Sequence, residues 1–313
     1  MGPVLELDAV RKSYGEFTAV DGVSFAVEPG SICGLLGPNG AGKTTSIRMI
    51  MDIIAPDSGE VRFFGRPRQR DDLLRVGYLP EERGLYRKMT VTDHLVFLAR
   101  LHGAGKRETM PAIGEWLERV GLSEWAGKKV EELSKGMQQK IQLVGTVLHQ
   151  PDLLVLDEPF SGLDPINQGL FKELLADYRR DGKAVLFSTH IMEQADKLCD
   201  RICLISHGRA VLAGELKEIK RRFGGNSYRL VADGDLSRLA ELPGVAQAIA
   251  RDDGAKLLLE DDAAGAEVLP RLLEAVTVHE FRSEEPELEE IFIQVVGHAE
   301  GAADQEGTEN RAV

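Results

Sequence analysis

The sequence predicts a large α/β domain followed by a small α+β domain, and three features carry this prediction. Continuous apolar runs such as Leu153–Leu156 and Ala184–Ser188 are typical of buried parallel strands. Segments such as Val91–Leu101 and Met137–Leu148 repeat apolar residues at helical spacing, which indicates amphipathic helices. Beyond Asn226 the pattern reads strand–helix–strand–strand–helix–strand, which is the order of a ferredoxin-like domain.

The N-terminal part begins with segments that alternate apolar and polar residues, as half-exposed strands do. A fully apolar run then leads into a glycine-rich loop and a helix that extends to about Ile54. Residues 82–150 have mainly helical patterns, and residues 201–213 predict a closing hairpin. The strands predicted before residue 82 span residues 4–10, 22–28, 31–36, 60–64 and 75–79.

The C-terminal domain is predicted to follow a linker near Phe223–Asn226. Its first helix is capped by Asp235, and its second carries Pro270, which weakens a helix from inside. A final amphipathic helix is predicted over Leu288–Val296, with Pro286 near its start. The predicted strands span residues 227–231, 245–250, 255–259 and 277–281, and the second helix spans residues 265–275.

Acidic side chains are concentrated in this C-terminal part. Residues 226–313 hold 20 acidic and 7 basic side chains, which account for the whole net charge of −13. The asymmetry supports domains at residues 1–222 and 226–297. Residues 298–313 have almost no large apolar side chains and are predicted to be a disordered tail. The acidic balance also argues against a nucleic-acid partner.

Composition indicates a soluble globular protein, with 43% hydrophobic and 28% charged residues. No uncharged apolar run has the length of a membrane helix, and the N-terminus lacks the pattern of a secretory signal. Cys33, Cys199 and Cys203 lie in or beside apolar runs, so they are predicted to be reduced and buried in a cytosolic protein. The histidines are scattered without the spacing of a zinc site.

The stretch Gly37–Thr44 fits the pattern G-x-x-x-x-G-K-[ST] of a phosphate-binding loop. It lies between an apolar strand and a helical segment, so backbone N–H groups and a helix N-terminus would surround phosphate oxygens. We expect Lys43 to reach the β- and γ-phosphates and the Thr44 hydroxyl to ligate Mg²⁺. The alternative, a plain glycine-rich turn, is disfavoured by the flanking strand and helix.

A second motif, Leu153–Glu158, is an apolar strand that ends in two acidic residues. A carboxylate at the end of a strand can hold Mg²⁺ through water, and a second carboxylate can orient an attacking water molecule. Acidic residues often follow strands, so this pattern alone leaves a purely structural interpretation open.

A third motif, Leu133–Met137, precedes a helix, and here the chain resembles the ATP-binding subunits of ABC transporters over residues 1–222. The resemblance implies a P-loop ATPase core with a mixed parallel sheet, an antiparallel β subdomain and a helical subdomain at about residues 82–150. It also implies ATP and Mg²⁺ as cofactors.

Roles for individual residues are implied by the same resemblance. Tyr14 would stack on adenine, although a surface aromatic is the alternative. Asp157 looks like the Walker B acid and Glu158 like the catalytic glutamate. His190 looks like the switch histidine, a residue that the pattern alone would leave structural. The remaining positions are the Walker A residues Asn39, Gly40, Gly42, Lys43, Thr44 and Thr45, the signature residues Ser134 and Gly136, and Asp164 of the D-loop, which is also a helix cap.

Three positions depart from the family pattern. The signature has Lys135 and Met137 where glycine and glutamine are usual, and Lys135 would add a favourable charge near the γ-phosphate. Glu81 occupies the Q-loop position at which glutamine is usual. Its carboxylate would ligate Mg²⁺ together with Thr44 and Asp157. These changes bear on the hydrolysis rate more than on the fold.

The resemblance implies an ATPase subunit that binds two ATP molecules in a head-to-tail dimer, with itself or with a paralogous subunit. Separate membrane subunits would complete the transporter, which places the chain on the cytoplasmic face of the cell membrane. The segment Tyr78–Tyr86 and the acidic C-terminal domain are similar to an exporter subgroup that includes sodium-export-type transporters. Two alternatives stay open: a soluble ABC-type ATPase that acts on DNA or ribosomes, and a regulatory module that binds nucleotide without turnover.

Overall fold

In the computed structural model, residues 2–82, 84–224, 227–260 and 263–296 are described. They form two compact units, one ending at Gly214 and one beginning at Glu215. The first unit contains a four-stranded and a six-stranded sheet. Its strands are β1 (Leu5–Tyr14), β2 (Phe17–Val27), β3 (Ile32–Leu36), β4 (Ser58–Phe63), β5 (Arg66–Pro67), β6 (Val76–Leu79), β7 (Leu153–Asp157), β8 (Ala184–Thr189), β9 (Arg201–Ser206) and β10 (Arg209–Glu215).

The four-stranded sheet has the order β2-β1-β4-β5 and is antiparallel, whereas the six-stranded sheet has the order β10-β9-β3-β8-β7-β6. Every residue of β3, β7 and β8 is buried, as the continuous apolar runs predict for parallel strands. Parallel register pairs Leu36 with Thr189 and Asp157 with Ser188. The chain segments that follow these strands therefore leave the sheet at one shared edge.

Helices of the first unit are α1 (Lys43–Ile50), α2 (Val91–Leu101), α3 (Lys106–Arg119), α4 (Lys135–Val147), α5 (Pro165–Arg180) and α6 (Met192–Leu198). The prediction carried α1 too far, to residue 54, because the apolar sequence continues past its end. Met51 caps the helix, and Asp52 has a left-handed φ of 57°, which stops helical geometry. Helices α2 to α4 enclose their own apolar core, which forms the helical subdomain.

The second unit contains α7 (Leu216–Phe223), β11 (Ser227–Asp233), β12 (Val245–Arg251), β13 (Gly254–Leu259), α8 (Gly265–Ala275), β14 (Thr277–Ser283) and a helix α9 over residues 288–296. Its sheet has the order β12-β13-β11-β14, and all neighbouring strands are antiparallel. This is the split βαβ order that the sequence predicts.

Two details of the second unit differ from the expectation. The helix predicted after Asp235 is a 3₁₀ helix, Leu236–Glu241, in which the Asp235 side chain accepts a hydrogen bond from the Ser237 N–H at 3.0 Å. The segment connects β11 to β12, and 3₁₀ turns are frequent in such connections. The division after Gly214 precedes α7, whereas the predicted end of the first domain at residue 222 lies within that helix. The predicted tail, residues 298–313, lies outside the described residues.

The cysteines are free and buried, as predicted, and burial raises the pKa of Cys33 to about 12. His94 in α2 is also fully buried. Among the described residues neither of its ring nitrogens has a hydrogen-bond partner, and burial lowers the pKa of His94 to about 4. The neutral ring is therefore part of the apolar core of the helical subdomain.

His94 should make stability fall with acidification. Between about pH 6.5 and pH 4 the unfolded chain binds a proton at this residue and the folded chain does not, so the free energy of unfolding rises with pH in that window. For one such group the slope reaches about 1.4 kcal/mol per pH unit. We expect His94→Leu to reduce the pH dependence of the melting temperature between pH 7 and pH 5. His279→Gln, which removes an exposed histidine, is the control, and an equal reduction in both variants would contradict the assignment.

Candidate functional site

The predicted phosphate loop connects β3 to α1 and packs closely against neighbouring backbone. A Cβ at Gly37 would lie 2.2 Å from the Ile205 carbonyl oxygen, and one at Gly42 would lie 2.6 Å from the Ala19 carbonyl oxygen. Gly42 also caps α1 with a φ of 108°, a conformation that other residues rarely adopt. The glycines of the motif are therefore required by the path of the loop.

Lys43 is the first residue of α1, and its side chain is 6% exposed. Its ammonium group donates hydrogen bonds to the carbonyl oxygens of Gly37 at 2.8 Å and Pro38 at 3.1 Å. It also lies 3.5 Å from the Glu158 carboxylate. The loop thus encloses a cation next to the N-terminus of a helix, which is a favourable place for a phosphate.

A cavity of about 530 Å³ opens at this loop. Nine of the predicted site residues line it, together with Ser161, which belongs to the same D-loop motif as Asp164, and two residues that were not predicted, Phe17 and Ala19. The nine are Asn39, Gly40, Gly42, Lys43, Thr44, Thr45, Glu81, Glu158 and His190.

Asp157, the last residue of β7, lies beside Thr44 and is 2% exposed. One of its carboxylate oxygens, Oδ1, accepts hydrogen bonds from the Ser188 hydroxyl at 2.5 Å and from the Thr44 hydroxyl at 3.4 Å. Burial, and then the charge of Asp157, raises the pKa of Tyr78 to about 12. Asp157 is thus a buried acidic residue in contact with the phosphate loop.

Glu158 follows Asp157 and has a φ of 48°, a left-handed backbone conformation that is uncommon for a residue with a side chain. Its carboxylate contacts two nitrogen groups. His190 Nδ1 is 3.1 and 3.2 Å from its two oxygens, and the Lys43 ammonium is 3.5 Å from Oε1. A carboxylate held in this way can orient a water molecule in the cavity and accept its proton.

The residues at the loop fit a magnesium ion that is shared with a nucleotide. Mg²⁺ binds oxygen ligands and usually takes one or two protein carboxylates together with phosphate oxygens. Thr44 and Asp157 supply adjacent oxygens, and Glu81 lines the same cavity. Within the described part of the chain, no group of three or more His, Cys, Asp or Glu side chains forms a metal site without such phosphates.

Besides Asp157, four predicted site residues are not among those that line this cavity. Ser134 caps α4 and accepts a hydrogen bond from the Met137 N–H at 3.3 Å. A Cβ at Gly136 would lie 3.3 Å from the side-chain nitrogen of Asn167. Asp164 caps α5 and accepts hydrogen bonds from Asn167, which lower the pKa of the Asp164 carboxyl.

The fourth is Tyr14, which does not line the cavity, whereas Phe17 does. These two residues face each other across the β1–β2 hairpin, so both aromatic rings are on one face of it. Both rings are exposed. Both aromatic residues are visible in the sequence, but the sequence does not indicate which of the two rings borders the cavity.

Comparison with known proteins identifies the class. A family model described as "ABC transporter" matches residues 20–161, and one described as "ATP-binding protein DrrA1-3-like, C-terminal domain" matches residues 214–296. A solved structure described as the ATP-binding subunit of an ABC transporter is similar with a TM-score of 0.66 and 31% identity. That similarity covers 71% of this chain and 93% of the other.

Relatives extend the similarity over 94% of this chain. The ABC transporter ATP-binding protein YhaQ of Bacillus subtilis is 45% identical over 294 residues, 94% of this chain and 99% of the relative. Nod factor export ATP-binding protein I of Paraburkholderia xenovorans is 35% identical, with 94% and 97% covered. The linearmycin resistance ATP-binding protein LnrL of Bacillus subtilis is 32% identical, with 94% and 98% covered.

The chain belongs to the ATP-binding proteins of ABC transporters and is an ABC transporter ATPase. Subunits of this class act with the membrane subunits of the transporter complex. The described residues of this chain include no helix that is both long enough and apolar enough to cross a bilayer.

The position of Phe17 leads to a test of which aromatic ring contacts the base. We expect Phe17→Ala to weaken ATP binding by about 5- to 100-fold, because stacking of a base on an aromatic ring contributes about 1–3 kcal/mol. Tyr14→Ala, the matched variant on the opposite strand, should have the smaller effect. Titration calorimetry with ATP would compare the two, and a larger loss in Tyr14→Ala would return the stacking role to Tyr14.

Proposed function

We propose that this chain is the ATP-hydrolysing subunit of an exporter and that two copies, or this chain and a paralogous one, close head-to-tail around two ATP molecules. The observation that supports this most is the place of the signature residues. Ser134 and Lys135 are exposed at the N-terminus of α4, and they do not line the cavity of their own chain. Their N–H groups are available to a second copy.

Charge supports the same arrangement. A triphosphate brings three to four negative charges, and the loop offers one lysine and the dipole of a helix of eight residues. The N-terminus of α4, a helix of 13 residues with no acidic residue in its first turn, would add donors and positive potential from the other side. Lys135 would contribute a further positive charge in this chain.

In the proposed reaction, water attacks the γ-phosphorus, the bond from that phosphorus to the bridging oxygen breaks, and ADP and phosphate leave. Glu158 orients the water and accepts its proton, and His190 holds the Glu158 carboxylate in place. Thr44, Asp157 and Glu81 would hold Mg²⁺, and the ion would supply positive charge to the phosphate oxygens. Lys43 leaves its loop carbonyls and Glu158 for the phosphates.

The export direction is supported by relatives whose names state Nod factor export and linearmycin resistance. Membership of the sodium-export-type branch is supported only by the segment 78–86 and by the acidic C-terminal domain. We place the chain on the cytoplasmic face of the membrane, bound to separate membrane subunits. The second unit, whose family model is found in DrrA1-3-like ATP-binding proteins, would regulate the ATPase or support the dimer.

The dimer can be trapped by slowing hydrolysis. We expect Glu158→Gln to keep ATP binding and to accumulate a dimer in the presence of ATP and Mg²⁺, since the amide does not accept the proton of water. Size-exclusion chromatography with light scattering would measure the mass with and without ATP.

The matched control is Glu158→Gln combined with Lys135→Glu. Lys135 is exposed in the monomer, so the added change should not affect folding or the loop of the same chain. It places a negative charge where the partner's γ-phosphate would lie, and we expect this variant to stay monomeric with ATP. A dimer that tolerates Lys135→Glu would contradict the head-to-tail arrangement.

A further inference from the structure

One buried hydroxyl contacts both acidic residues at the end of β7. Ser188, in β8, is completely buried. Its hydroxyl donates a hydrogen bond to Asp157 Oδ1 at 2.5 Å and accepts one from the Glu158 N–H at 2.9 Å. The parallel register places Ser188 directly beside Asp157, so both contacts follow from the sheet itself.

The contact with Asp157 fixes the orientation of its carboxylate. Oδ1 receives the short hydrogen bond from Ser188 and the long one from Thr44, whereas no hydrogen bond from a described residue reaches Oδ2. The carboxylate is thus anchored through one oxygen, and the other oxygen is left for a cation or its water ligands. Partners that orient a ligating carboxylate in this way commonly tune metal affinity.

The contact with Glu158 supports an unusual backbone. Glu158 has a φ of 48°, and left-handed residues with side chains persist only where neighbouring groups hold them. The hydrogen bond from the Glu158 N–H to Ser188 is such a restraint. It fixes the residue whose carboxylate lies between Lys43 and His190.

We infer that Ser188 is a positioning residue for hydrolysis, one that aims the free oxygen of Asp157 at the metal and holds the backbone of Glu158. The inference rests on the proposed role of Asp157 in holding Mg²⁺. It differs from a purely structural role, in which Ser188 only satisfies buried polar groups and its loss would weaken all nucleotide binding equally.

The test compares nucleotide affinity with and without the metal. Binding of the non-hydrolysable analogue adenylyl imidodiphosphate to the full chain is measured by competition with a fluorescent nucleotide, once in Mg²⁺ and once in EDTA. We expect Ser188→Ala to reduce the gain in affinity that Mg²⁺ provides by about 10- to 100-fold, while affinity in EDTA stays unchanged. When Mn²⁺ replaces Mg²⁺, the electron paramagnetic resonance spectrum of the ion bound to Ser188→Ala should differ from that of the ion bound to the unaltered chain.

The matched control is Ser206→Ala. Ser206 is a buried serine of β9, and its hydroxyl contacts His207 Nδ1 at 3.0 Å and makes no contact with Asp157. This variant should keep the full Mg²⁺-dependent gain. Ser188→Cys provides a second probe if Ser188→Ala does not fold, because a thiol has nearly the same shape but is a weak donor and acceptor. The thiol variant should lose part of the gain.

An unchanged gain in either folded Ser188 variant would overturn the inference, and so would an equal loss of affinity in Mg²⁺ and in EDTA. A different result would contradict the proposed function instead. If the unaltered chain bound no analogue, or bound it equally well without Mg²⁺, the site itself would be misassigned. The two failures are therefore distinguishable.

Discussion

The parallel pairing of β3, β7 and β8 is the constraint on which the site depends. These strands are entirely buried, and their register brings Leu36, Asp157 and Thr189 to one edge of the sheet. The phosphate loop, the acidic pair and His190 therefore meet although they are far apart in the sequence.

Lys43, Glu158 and His190 form one connected set of polar groups at this edge of the sheet. The Lys43 ammonium contacts loop carbonyls and Glu158, and Glu158 contacts His190. Buried charges are costly unless they are paired, so this set holds its members close together before any phosphate arrives. Entry of a triphosphate would give Lys43 a stronger partner and free the Glu158 carboxylate to act on water. The same contacts thus link stability of the empty site to its chemistry.

Local patterns in the sequence were enough to predict the parallel strands, the phosphate loop, the helical subdomain and the order of the second unit. Contacts between residues on neighbouring strands could not be predicted from local patterns. Phe17 borders the cavity from the position opposite Tyr14, and Ser188 contacts Asp157 across two strands although the residues are 31 apart in the sequence. The end of α1 was missed for a different reason, since the left-handed φ of Asp52 ends the helix while apolar residues continue in the sequence. The signature residues Ser134 and Gly136 were predicted as part of the same site as the phosphate loop, but they do not line the cavity at the loop of their own chain.

The central claim is that a second chain completes the nucleotide site, and cross-linking between copies tests it most directly. One copy carries Asn39→Cys at the phosphate loop and the other carries Lys135→Cys at the start of α4, and a short bismaleimide joins thiols that come close. The native cysteines are buried, so they should not react. The account predicts a cross-linked dimer when ATP and Mg²⁺ are present and none in their absence. ATP-bound dimers in which these two positions never cross-link would contradict it.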